Sequence, residues 1–234
     1  MKKSLLIILL LPILVFSQNN QVPDSFKHLK KIRFQQRNFI DIFTSDEVDT
    51  NVSLISIDQG SFKYEPLHPI CLVKINPNEP KYLIGFCEGA SDDPTFEIFK
   101  VVNNNYIHLD GVSGETIYIP GNGNIYVSGR MNEMFERKRK FQLKNDQLVE
   151  VKQPYYHVGM KTITKKPIKL YSNISCTESV ASLPSNSQIE VLVSNIKDET
   201  EFKFLIKTSF GLIGWWELDS FYSEEVEGLW FLGD

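Results

Sequence analysis

The segment FLIKTSFGLIGWW, residues 204–216, carries the strongest local structural signal in the chain. Two short apolar runs flank Ser209-Phe210-Gly211, and glycine is favoured where a tight turn needs a positive φ. The pattern therefore predicts a β-hairpin whose second strand contains Trp215 and Trp216. Adjacent strand residues point to opposite faces, so one tryptophan is expected in a core and the other outside it or beneath a neighbouring unit.

The rest of the chain shows a similar alternation of short strands and turns. Between residues 26 and 153, apolar or alternating segments such as 95–102 are separated by turn residues at spacings of about eight to twelve positions. Asn103-Asn104-Asn105 is one such turn, because asparagine tolerates the left-handed conformation. The pattern predicts an all-β protein whose N-terminal domain is an antiparallel β-sandwich or barrel, with a propeller as the alternative.

Residues 1–17 have the organisation of a secretory signal peptide. A short basic start precedes an apolar run at residues 5–16, and Val15-Phe16-Ser17 suits a cleavage site. The run is shorter than the ~20 residues that a membrane-spanning helix needs. We therefore expect cleavage before Gln18, no stable membrane span afterwards, and a periplasmic or secreted protein.

The mature chain is mildly acidic and divides into two predicted domains. Removal of Lys2 and Lys3 takes the formal net charge from -4 to -6, which argues against a nucleic-acid partner. A leader at 18–25 precedes an N-terminal antiparallel β domain at 26–157. The second domain, at 158–234, follows the boundary signalled by Pro154.

Three cysteines in an oxidising compartment allow at most one intrachain disulfide. Cys71 and Cys87 lie in two apolar segments joined by a polar loop with two prolines. If that loop closes a hairpin centred on Glu79, Cys71 faces Cys87 and a disulfide can form; the alternative is two reduced core cysteines. Cys176 is expected to be a free, partly buried thiol.

Residues 162–222 resemble a bacterial SH3-like domain. The features that carry the resemblance are Leu170-Tyr171, Leu183-Pro184-Ser185, the valine-rich segment 189–193, and Gly214-Trp215, in this order. The resemblance implies a small β-barrel that binds peptides or cell-wall fragments, or that packs on a neighbouring domain.

The candidate ligand-binding residues are aromatic. In the functional interpretation, the outward tryptophan of Trp215 and Trp216 forms a platform with Tyr171 and Phe210 for a peptide or a sugar face. In the structural interpretation, that tryptophan is buried at an interdomain contact.

Catalytic and cofactor motifs have little support in the sequence. The four histidines, residues 28, 68, 108 and 157, lie apart without zinc-ligand spacing. Cys176 with His157 or His108 lacks a local hydrolase signature. The acidic segment 88–94 could hold calcium, but an ordinary turn is the simpler interpretation. We therefore predict no metal, no cofactor and no enzymatic activity.

Two hypotheses follow from these observations. The first is a non-catalytic, exported binding protein of the bacterial cell envelope, whose partner is a peptide, a protein or a cell-wall glycan. The second is a hydrolase or hydrolase accessory that uses Glu88, Asp92 and Glu97 in the N-terminal domain. Two carboxylates within roughly 5–10 Å across a cleft would favour the second. A less specific option is an inhibitor or assembly protein that uses its outer β surface.

Overall fold

The structure is a computed structural model, and it describes residues 22–34, 40–45, 48–50, 52, 67–88, 93–103, 105–130, 134–196, 202–220 and 222–231. Its described part consists of strands and turns, with a single 3-10 turn at Asp24–Phe26. The predicted all-β class is confirmed. The predicted signal peptide lies outside the described residues. Within the described ranges, no helix is long and apolar enough to cross a membrane.

The first sheet has six strands in the order β1-β2-β8-β9-β10-β11. Its neighbours are antiparallel except for β2 and β8, which run parallel. This pair differs from the predicted antiparallel arrangement. The sequence did not reveal it, because parallel strands are joined by a long connection rather than by a local turn. The strands are β1 (Lys30–Ile32), β2 (Asp41–Thr44), β8 (Thr116–Ile119), β9 (Asn124–Gly129), β10 (Arg137–Lys144) and β11 (Gln147–Glu150).

The second sheet is a five-stranded antiparallel meander in the order β3-β4-β5-β6-β7. Asn103, between β6 and β7, has a φ of 51°, which confirms the left-handed turn expected there. The strands are β3 (Val48–Asp49), β4 (His68–Val73), β5 (Tyr82–Glu88), β6 (Pro94–Val102) and β7 (Asn105–Ser113).

The first two sheets share one hydrophobic core, as in a β-sandwich. Ile42, Ile117 and Val127 of the first sheet are buried in the same cluster as Ile84 and Phe96 of the second. Neighbouring residues such as Phe43 and Leu83 point to the opposite faces and are buried in separate, smaller clusters. The long apolar segments of the N-terminal half therefore form the inner faces of two packed sheets.

The third sheet contains the last six strands, in the order β12-β15-β16-β17-β13-β14. The predicted hairpin at 204–216 is confirmed as β16 and β17, joined by a turn in which Gly211 has a φ of 100°. Among the described strands, β12 and β14 are the two edge strands of this sheet, and no hydrogen-bonded pairing joins them. The strands are β12 (Tyr156–Ile163), β13 (Ile168–Tyr171), β14 (Ser179–Leu183), β15 (Gln188–Ile196), β16 (Phe202–Thr208) and β17 (Ile213–Glu217).

The inner face of the third sheet is covered partly by residues from the 130s. Met134 and Phe135 belong to its buried cluster, and the Phe135 ring contacts Phe204 edge-on at 6.2 Å between centroids. Arg130 donates hydrogen bonds to the carbonyl oxygens of Gly228 and Trp230. The segment before β10 thus packs against the third sheet and the C-terminal segment.

The predicted Cys71–Cys87 disulfide is not formed, and both thiols are free. The β4–β5 hairpin exists, but its register places Cys71 opposite Ile84, with a bulge between Pro69 and Cys71. Cys87 lies three positions beyond Ile84, so its side chain points to the opposite face of the sheet. The prediction was wrong because the hairpin is centred between Pro77 and Asn78 rather than on Glu79.

Candidate functional site

The two adjacent tryptophans lie on opposite faces of the third sheet, as strand alternation requires. Trp216 is only 3% exposed and stacks on Phe204 in the core, with 5.6 Å between ring centroids. Trp215 is half-buried on the outer face. The contact with Met134 and Phe135 is made on the inner face, so it does not cover Trp215. Of the two, Trp215 is the one placed to contact a ligand.

An uninterrupted row of side chains crosses the outer face of the sheet at Trp215. Trp215 is the register partner of Tyr171 on β13 and of Leu205 on β16. Leu205 pairs with Val193 on β15, and Val193 pairs with His157 on β12. We call these five residues the outer row. Directly opposed side chains contact one another, so the row forms a mainly apolar strip across five strands.

Ion pairs border the outer row on both sides. On one side, Lys203 Nζ lies 3.6 Å from a carboxylate oxygen of Glu217. On the other, Lys207 Nζ lies 3.2 Å from a carboxylate oxygen of Glu190. An apolar strip between charged borders has the composition of a protein interaction surface.

Tyr155 adds a ring to this surface that the sequence did not point to. Its centroid lies 5.6 Å from that of Trp215, and its side chain remains 45% exposed. Tyr155 precedes β12, and the sequence predicted only the last strand or a linker of the N-terminal domain there. Its two-residue spacing from His157 was the available signal, since residues i and i+2 of an extended chain share a face.

Phe210 does not belong to the outer row. It is 88% exposed at the tip of the β16–β17 turn, five residues from Trp215 along the chain. Leu212 and Ile213, beside it, are also largely exposed. Of the four predicted ligand-binding residues, the structure therefore brings Tyr171 and Trp215 together, and places Phe210 at the turn and Trp216 in the core.

Two of the three acids proposed for a hydrolase, Glu88 and Glu97, are described by the structure, and they do not converge. The regular β5–β6 register pairs Glu97 with Gly85, so Glu88, three residues further along β5, points to the opposite face. Glu97 is buried and lies 2.6 Å from Nε2 of His108, and it accepts a hydrogen bond from the Cys87 thiol at 3.2 Å. Asp92 lies outside the described residues. Glu88 and Glu97 therefore do not form the facing carboxylate pair that glycoside hydrolysis uses.

The cysteines are poorly placed for nucleophilic catalysis. Burial raises the pKa of the Cys71 thiol to about 12, and burial together with Glu97 raises that of Cys87 to about 12. Burial and Glu217 also raise the pKa of the Cys176 thiol. Reactive thiols have lowered pKa values, so all three shifts oppose thiolate formation. In the described part of the chain, no three His, Cys, Asp or Glu side chains gather as metal ligands.

Comparisons with known proteins find no relative of this chain. No protein-family model, curated protein or solved structure matches the chain. Function is therefore inferred from the outer face of the third sheet and from the sequence features already described.

Proposed function

We propose that the protein is an exported, non-catalytic binding protein of the bacterial cell envelope. Its C-terminal SH3-like module would hold a peptide or cell-wall fragment on the outer row. The observation that carries this proposal is the position of Trp215, half-buried beside the Tyr155 ring and opposite Tyr171 in the strand register, on the face away from Met134 and Phe135. The periplasmic or secreted location rests on the signal-like segment at residues 1–17.

The chemistry of the outer row suits an extended ligand. A tryptophan flanked by tyrosines supplies a broad apolar surface with polar edges, against which a peptide side chain or a sugar ring can stack. The two ion pairs at its borders offer charged groups to the backbone or substituents of such a ligand. The strip crosses five strands about 4.8 Å apart, which gives it the length of a short peptide rather than of a single metabolite.

A binding assay on the mature protein tests this function. Purified peptidoglycan sacculi and an array of envelope peptides serve as the two ligand sources, which separates wall binding from peptide binding. Trp215→Ala is expected to abolish retention on at least one source while the circular dichroism spectrum stays unchanged. Tyr222→Ala is the matched control, because Tyr222 is an exposed aromatic outside the third sheet.

Two results would count against the proposal. One is no retention of the wild-type protein on either source. The other is equal retention of wild-type protein and Trp215→Ala. Phe210→Ala is a further comparison that shows whether the exposed hairpin tip contributes to the same contact.

A further inference from the structure

A separate concave site lies on the first sheet and shares no residue with the outer row. It is a cleft of about 380 Å³ between the segment that contains Phe26 and the outer faces of β8, β9 and β10. This volume falls within the ~300–1,000 Å³ of typical small-molecule sites. Phe26 forms part of the wall by stacking on Tyr118, with 4.5 Å between ring centroids.

Two hydroxyl groups open into the cleft. Their residues, Tyr118 and Ser128, are 9% and 8% exposed, and both line the cleft. Neither hydroxyl is among the fully buried, unpartnered polar atoms of the described residues, so each is accessible from the cleft. A polar ligand in the cleft could therefore hydrogen-bond both of them.

Five charged side chains line the same cleft, and four of them make no ion pair among the described residues: Glu115, Glu136, Lys138 and Lys140. Glu115 and Glu136 precede the first residues of β8 and β10, and β8 and β10 run in the same direction on either side of β9. The two carboxylates therefore lie at one end of the cleft. Burial raises the pKa of Glu115, Glu136 raises it further, and Arg130 lowers it. An ammonium group at this end would add to the favourable charge of Arg130 and relieve the repulsion between the two carboxylates.

Two lysines extend from this acidic end along β10. Lys138 and Lys140 are two and four residues beyond Glu136, on the face that carries Ser128 and Tyr126. Two strand residues span roughly 7 Å, so the acidic and basic groups are separated by about the length of a dipeptide.

We propose that this cleft binds a short zwitterionic peptide of dipeptide size, with its ammonium group at Glu115 and Glu136 and its carboxylate at Lys138 and Lys140. The hydroxyls of Tyr118 and Ser128 hydrogen-bond the polar backbone between the two charges. Phe26 and Val151 supply the apolar wall for its side chains. This site is independent of the outer row, so either one can fail without the other.

Isothermal titration calorimetry on the mature protein tests the site with three probes. They are glycyl-phenylalanine, its N-acetyl form, which lacks the ammonium group, and its C-terminal amide, which lacks the carboxylate. The unmodified dipeptide is expected to bind about tenfold more tightly than either derivative, because each derivative loses one charge-assisted interaction. Equal affinity for all three probes, or no binding of the dipeptide at millimolar concentration, would overturn the proposal.

Paired variants assign each end of the ligand. Glu136→Gln is expected to remove the preference for the free ammonium and to keep the preference for the carboxylate. Lys140→Met is expected to show the opposite pattern. Lys169→Met, on β13, and Glu178→Gln, in the segment before β14, are the charge-matched controls and should change neither preference. If Glu136→Gln and Lys140→Met both keep both preferences, the ligand binds elsewhere and the proposal is contradicted.

Discussion

At the scale of single residues, the two tryptophans have different roles despite their adjacency. Trp216→Ala removes a buried ring and is expected to lower the free energy of unfolding by about 3–5 kcal/mol. Trp215→Ala, on the half-buried outer face, should cost only about 1 kcal/mol. Urea denaturation of both variants measures the difference. Similar losses for the two would contradict their assignment to opposite faces.

The thiols give a second prediction at this scale. With pKa values raised to about 12, Cys71 and Cys87 remain protonated at pH 8, and both are buried. Only the partly exposed Cys176 is expected to react with a thiol reagent in the native protein. All three should react in denaturant without a reductant. A count of one thiol in denaturant would mean that Cys71 and Cys87 are bonded after all.

At the scale of elements, the β16–β17 turn depends on one glycine. Gly211 has a φ of 100°, and a Cβ added there would meet no atom within 4 Å. Gly211→Ala therefore tests backbone strain without a steric clash, and it should lower the free energy of unfolding by about 1–2 kcal/mol. Ser209→Ala, in the same turn, is the control. A neutral Gly211→Ala would show that the turn relaxes freely.

Local signals predicted the elements better than their register. The apolar runs around Gly211 were sufficient to place β16 and β17, and the asparagines at 103–105 marked the β6–β7 turn. Residues 71 and 87 were assigned to the right strands, but the turn is centred between Pro77 and Asn78, which pairs Cys71 with Ile84. The position of a turn fixes the register of the whole hairpin, so a small error in the turn moves every predicted pair.

The candidate site could be predicted only in part from the sequence. Strand alternation required Trp215 and Trp216 to point to opposite faces, and Tyr171 was predicted to lie beside the outward one. Tyr155 and the outer row depend on which strands are neighbours, and that order, β12-β15-β16-β17-β13, brings together residues distant in the chain. The cleft on the first sheet could not be predicted from local sequence, because it brings Phe26 together with residues around 115 and 138, which are distant in the chain.

At the scale of the whole molecule, Arg130 links the N-terminal half to the C-terminal segment. Its guanidinium bonds two carbonyl oxygens and lies 4.8 Å from the Trp230 ring centroid. Arg130→Lys keeps the charge but loses the planar fork, so it should cost about 2 kcal/mol. Hydrogen exchange of the amides at 226–231 should accelerate in this variant.

Lys165→Met is the matched control for Arg130. Lys165 forms a partly exposed ion pair with Glu224 at 2.6 Å, and such pairs contribute at most about 1 kcal/mol. Its effect on exchange at 226–231 should be small. Equal acceleration in both variants would mean that the segment is held by general electrostatics rather than by the Arg130 contacts.

Co-sedimentation with peptidoglycan sacculi, in parallel with the envelope-peptide array, shows whether the outer face of the third sheet is a binding surface. We expect wild-type protein and Tyr222→Ala to be retained on at least one of the two sources, and Trp215→Ala to be lost from it while folded. Retention of Trp215→Ala equal to wild type, or no retention of wild type on either source, would contradict this expectation.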